Sequence, residues 1–265
     1  MSWLVVARKD FEDAIRSRWL IGLTVVFILL VSGVSYLARQ TASANAVLQL
    51  SGSLFVGTLV PLIALVVAYN AVTGERESGS LKLLLSLPHS RADVVFGKVV
   101  GRAAALSTAI TVGFILPAVI LALGPFTLEI GTYIGYMLLV ALLASVFVAI
   151  AVGWSAAAPS QRTALGGAIG LYFVFVPFWG AIQLRLGSAI GSLADVLPLS
   201  ARTIGNAIFL TNPAESFGWL TGRLLAGEFM IGETAGLQLS ALSMLLFWLL
   251  AAPLVGLLVF QRRDL

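Results

Sequence analysis

Few residues in this 265-residue chain could do covalent chemistry, and they do not converge. Cysteine is absent, which excludes thiolate catalysis, disulfides and Cys-zinc sites. His89 is the single histidine, and no Asp or Glu falls inside a long apolar run to complete a triad, an aspartyl dyad or a metal site. The only Gly-Lys pair, Gly97-Lys98, is followed by Val99 and lacks the spacing of a phosphate-binding loop, so ATP hydrolysis is not expected of this chain. Lys98 reads instead as an anchor at a membrane interface.

What remains is recognition chemistry, in one segment. Glu75, Arg76 and Glu77 give acid, base, acid; Gly79 follows, then Leu81 to Leu87 with Lys82 among them, then Pro88. Leu81, Leu84 and Leu85 repeat at i, i+3 and i+4 and form an apolar ridge. The pattern predicts a helix over 75–87, stopped by Pro88, that docks on a partner through its charges and its ridge. Ser90 before Arg91-Ala92-Asp93 restarts the next helix. A loop whose leucines merely rest on the membrane surface suits the same residues equally well.

The elements that carry this segment follow from composition. The chain is 59% hydrophobic and only 11% charged, with a mean hydropathy of +1.02. Soluble domains carry about 25% charged residues, so an ordinary soluble enzyme is excluded, and so is disorder. Six stretches hold no charge: 19–38, 40–74, 103–128, 130–161, 163–184 and 234–261. A helix crosses a bilayer core with about 20 apolar residues. Barrel strands are about half that length and alternate in polarity. The fold class is therefore an all-α integral membrane protein with six transmembrane helices, at 19–38, 53–72, 99–123, 133–154, 164–184 and 239–260. The chain is one membrane domain, 1–265.

Lys and Arg set the orientation. Of 16, only Arg39, Arg185, Arg202 and Arg223 fall on the side away from the termini, which puts both termini in the cytoplasm. The net charge of +4 is thus a topology signal, with no basic, aromatic-laced patch for nucleic acid. The first span reads as an uncleaved anchor. Residues 1–18 form an amphipathic interfacial helix with Leu4, Ala7, Phe11 and Ala14 or Ile15 on its apolar face. The segment 74–98 is a cytoplasmic loop. The outer loop, 185–238, is apolar enough to pack on the protein as short re-entrant or interfacial helices, such as 189–197 and 201–210, with Asn212-Pro213 as a turn.

Pro61, Pro117, Pro177 and Pro253 fall within spans and favour kinks. Small residues recur four apart at Gly166 and Gly170, and at Ala141, Ser145, Ala149 and Gly153, so helices can approach closely there, within the chain or between subunits.

The segment 74–102 resembles the cytoplasmic loop of ABC-2 type permeases, the membrane subunits of many ABC exporters. It has their acidic-basic-acidic start, the Gly, the leucine-rich helix, the Leu87-Pro88-His89-Ser90-Arg91 turn and the Gly97-Lys98 before the next span. The N-terminal segment and the closing Phe260-Gln261-Arg262-Arg263-Asp264-Leu265 are similar too, so the resemblance covers the whole chain; the subgroup is similar to permeases of nitrous-oxide-reductase maturation. It implies an exporter subunit in a prokaryotic plasma membrane, with a second permease copy, identical or related, completing the pathway. Two copies of a separate ATPase would hold the ATP and magnesium, and this chain would bind no cofactor. The docking residues would be Glu75, Arg76, Glu77, Gly79, Leu81, Lys82, Leu84, Leu85, Pro88 and Arg91. Residues 1–18 would be the elbow helix, and Pro61, Gly166, Gly170 and Pro177 would lie at the dimer interface or pathway.

Two other functions compete. An ion-coupled secondary transporter usually places carboxylates, His or Arg within its spans, and here there is only Arg102, at the cytoplasmic edge of span three. Sodium coupling at broken helices near Pro61 or Pro177 stays open. A structural assembly factor without transport would explain the spans, but not a charged leucine-proline loop.

Overall fold

The computed structural model describes residues 2–38, 43–124, 127–194 and 201–262. In chain order its helices are α1 (Ser2–Ile15), α2 (Arg18–Ala38), α3 (Ala44–Ser51), a π-turn (Gly52–Val56), α4 (Gly57–Ala68), α5 (Thr73–Glu77) and α6 (Ser80–Ser86). Then come α7 (Arg91–Gly113), α8 (Ile115–Ala122), α9 (Ile130–Ala157), α10 (Gln161–Phe175), α11 (Trp179–Ala194), α12 (Ala201–Thr211), α13 (Pro213–Leu225) and α14 (Ala235–Gln261).

Five helical segments are long and apolar enough to span a membrane: Leu20–Ala38, Ala44–Glu77, Arg91–Ala122, Ile130–Ala157 and Ala235–Gln261. A sixth forms if α10 and α11, bent by 65° at Val176-Pro177-Phe178, count as one. The second span thus begins nine residues before the expected 53, because the polar Asn45, Gln49 and Ser51 are accommodated within helix. The fifth span is bent at Pro177, where a kink was expected, and the bend breaks it into two helices. Pro177 supplies no N–H, and the bend leaves the Phe175 carbonyl without its helical donor. Asn212 repairs this by donating Nδ2 to Phe175 O at 2.7 Å. Span three breaks between α7 and α8, one turn ahead of Pro117, and there the Tyr133 hydroxyl donates to Phe114 O at 2.6 Å.

The central helix is α9, apolar all round and buried for most of its length, as a helix surrounded by others must be. It packs against α14, α7, α4 and α13. Its crossing with α14 is a backbone contact. A Cβ on Gly153 would stand 2.3 Å from Ala252 O, and one on Gly256 would stand 2.1 Å from Gly153 O.

α1 packs along α7. Its inward face carries Val6, Ala7 and Asp10, while Leu4 and Ile15 are exposed, so the expected apolar stripe is rotated toward Asp10. The expected helix over 201–210 is α12. Asn212-Pro213 turns out to be a helix start: Asn212 Oδ1 accepts from Ala214 N–H at 2.7 Å, and α13 follows. Of the expected helix over 189–197, residues to 194 continue α11 and the rest lie outside the described residues, as do Arg39, Asp195 and Arg263 to Leu265.

Candidate coupling site

α1, the loop between spans two and three, and the C-terminal end of α14 gather at one end of the bundle. The expected single helix over 75–87 is two helices. α5 ends at Glu77, and Gly79 adopts φ 76° before α6 begins. That left-handed conformation costs a residue with a Cβ about 1–2 kcal/mol, so a helix cannot run through it.

The acid-base-acid triplet turns inward. Glu75 pairs with Lys98 Nζ at 2.8 Å, and Lys98 also donates to Asp10 Oδ1 at 3.2 Å. Arg102 Nε donates to the other Asp10 oxygen at 3.1 Å, and the guanidinium reaches the Val67 carbonyl and Asn70 Oδ1. Lys98 is only 3% exposed, so the expected interfacial anchor is a buried ion-pair residue. Two acids and two bases cancel, which is what makes their burial tolerable. These groups line a cavity of about 650 Å³ that also touches Tyr69 and Leu165.

Arg76 donates to the carbonyls of Ala158 (2.7 Å) and Ala156 (3.3 Å) at the end of α9. Its guanidinium carbon lies 5.4 Å from the Phe260 ring centroid. Arg91 covers the same ring at 4.9 Å and also donates to the Phe260 carbonyl. Glu77 Oε1 accepts from Gln161 N–H at 2.7 Å, at the start of α10. Ser155, fully buried in α9, accepts from the Val72 and Thr73 N–H groups at 3.1 and 3.2 Å.

The leucines divide. Leu81 is buried at 1% exposure, and Leu84 and Leu85 pack partly against the core, so the anticipated docking ridge faces the chain itself. The free face of α6 carries Leu83 and Leu87, at 72% and 53% exposure, beside exposed Lys82 and Pro88. Ser90 then caps α7 with a capping box: Ser90 Oγ accepts from Asp93 N–H at 3.1 Å, and Asp93 Oδ2 accepts from Ser90 N–H at 2.9 Å.

The interface candidates fall differently. Pro61 is buried within its own chain. Gly166 and Gly170 lie on an exposed face of α10, with nothing within 4 Å of where their Cβ atoms would be. Pro177 sits exposed at the bend.

Asp10, Lys98, Arg102, Ser155 and Phe260 were not singled out by sequence as partners of the triplet. A signal existed for two of them. Lys98 and Arg102 are one turn apart where a helix enters a span, and a basic pair on one face there calls for a counter-charge.

These features define a multi-pass, all-helical membrane protein whose short loop helices are tied to α7, α9, α10 and α14. The chain belongs to the family described as ABC-2 family transporter protein, which matches residues 4–265. It is 30% identical over 272 aligned residues to a protein of Stutzerimonas stutzeri named as the probable ABC transporter permease NosY, covering 97% of each chain. A protein of the same name from Pseudomonas aeruginosa is 36% identical over 180 residues, 64% of this chain and 66% of that one. The chain is thus an ABC transporter permease subunit, a non-catalytic membrane component whose ATP hydrolysis lies in a separate subunit.

Proposed function

We propose that this chain is the membrane half of an ATP-driven exporter. Two copies, identical or related, form the pathway, and two ATPase subunits dock beneath them on the side of both termini, in the cytoplasm. The ATPase contact is the exposed face of α6, and the observation that carries it is the split among the leucines. One side of α6 is buried in the chain, while Leu83 and Leu87 stand bare beside Lys82 and Pro88. An aliphatic pair that fills a pocket on a partner can anchor a complex. The triplet then serves as the transmission. Movement of α6 pulls through α5 on Lys98 in span three, on α9 through Arg76, and on α10 through Glu77.

Charge reversal at Glu75 would break an internal ion pair and so cannot report on docking alone. Leu83→Asp with Leu87→Asp alters only exposed positions. The expected outcome is a folded permease that no longer retains its ATPase on purification. An unchanged, stoichiometric complex would remove α6 from the interface.

A further inference from the structure

A second cavity, of about 330 Å³, opens at the other end of the bundle, between α3–α4, α9 and α13, with Val176 of the span-five bend at its edge. That size suits a small molecule. Its one charged lining residue is Glu215, in the first turn of α13. Among the described residues its carboxylate has no ion pair and no hydrogen bond, and burial raises its pKa. Two hydroxyls around it have already spent their protons. Ser53 donates to Leu50 O at 3.1 Å and Thr221 to Phe217 O at 2.9 Å, so both offer the cavity lone pairs.

Tyr136 and Phe217 supply aromatic walls, with ring centroids 6.4 Å apart. Tyr136 is fully buried, with its hydroxyl toward Ser51. Ser51, the polar group beside it, donates to Leu48 O at 2.8 Å. The Tyr136 hydroxyl lies against Gly52, where a Cβ would be 2.8 Å away. Gly52 also lines the cavity, so this hydroxyl sits at its wall.

One unpaired carboxylate, the Ser53 and Thr221 oxygens left as acceptors, and aromatic faces favour a donor carrying a single positive charge. A divalent cation would need six or more oxygens with more negative charge among them. We propose that this cavity binds a small organic ammonium compound, with Glu215 as its counter-ion and the Ser53 and Thr221 oxygens as its acceptors. Resting on the permease reading above, such a compound is the cargo at the outer end of the pathway, where spans two and five meet.

The test is calorimetric titration of hexylammonium, with hexan-1-ol as its uncharged counterpart, into the permease purified with whatever ATPase accompanies it and placed in lipid nanodiscs. Saturable binding of the ammonium and none of the alcohol is expected. Glu215→Gln weakens binding about tenfold or more, as loss of a charge-assisted contact requires. Ser53→Ala, at an exposed wall position where folding is not at stake, weakens it about threefold. No saturable binding, equal binding of the alcohol, or affinity unchanged in both variants would overturn the site. The two readings fail separately. A chain that binds hexylammonium but brings no ATPase sinks the transport reading and leaves the site standing, and an ATPase complex that binds nothing does the reverse.

Discussion

At the scale of single residues, Lys98 holds most of what the coupling site depends on. It is buried and shared between Asp10 on α1 and Glu75 on α5, so it joins three parts of the chain through one ammonium. Removing it leaves two carboxylates facing each other with only Arg102 to compensate. Breaking a buried ion pair from one side typically costs about 3–5 kcal/mol, because the abandoned charge is still out of water. Lys98→Met is therefore expected to lower the thermal midpoint of the purified permease sharply, and Glu75→Gln added to it should restore part of the loss. A double variant no more stable than the single one would show that Glu75 and Lys98 are not coupled. The charged triplet was legible in the sequence as a cluster between spans two and three. Its inward direction was not, because Asp10, Lys98, Ala158 and Phe260 lie on other elements and only the packed fold brings them to it.

At the scale of elements, Gly79 decides the form of the loop. The pattern of leucines through Leu87 is consistent with one helix, and helical periodicity cannot register a single left-handed residue between two short helices. Its φ of 76° and the open space around it mean that a side chain would meet strain and no clash. Gly79→Ala should cost about 1–2 kcal/mol locally, and Gly79→Asn less, since Asn tolerates this region. The readout is transport-coupled ATP hydrolysis by the reconstituted complex, expected to fall with Ala and to recover with Asn. Equal activity in the two variants would mean that the angle between α5 and α6 does not matter to coupling. The spans were easier to read, because a run of about 20 uncharged residues has few alternatives. The exceptions meet at one residue. Span five breaks at Pro177 and α13 starts at the local Asn212-Pro213 cap, but the bond from Asn212 to the Phe175 carbonyl that joins the two is tertiary, and no local pattern encodes it.

At the scale of the whole molecule, small residues are used in two ways that look alike in sequence. Gly153 is consumed within the chain, where α9 and α14 touch backbone to backbone. Gly166 and Gly170 are spaced the same way, yet their face of α10 is bare and flanked by exposed Leu165, Ile169 and Phe173. Gly167, between them, is turned inward on to Trp154, which fixes the outward direction of the other two. A close-packing surface with none of the described residues on it, next to the cavity that Leu165 also borders, is where a second permease copy would sit. The absence of cysteine makes this directly measurable. Gly166→Cys and Gly170→Cys each introduce a unique thiol, and mild oxidation in membranes should yield disulfide-linked permease dimers for at least one of them. Leu29→Cys, an exposed position on α2, should stay monomeric under the same conditions. If the α2 cysteine cross-links and the α10 cysteines do not, the pathway lies on the opposite side of the bundle. Loop motion relayed through Glu77 to α10 would then act on lipid instead of on a partner subunit.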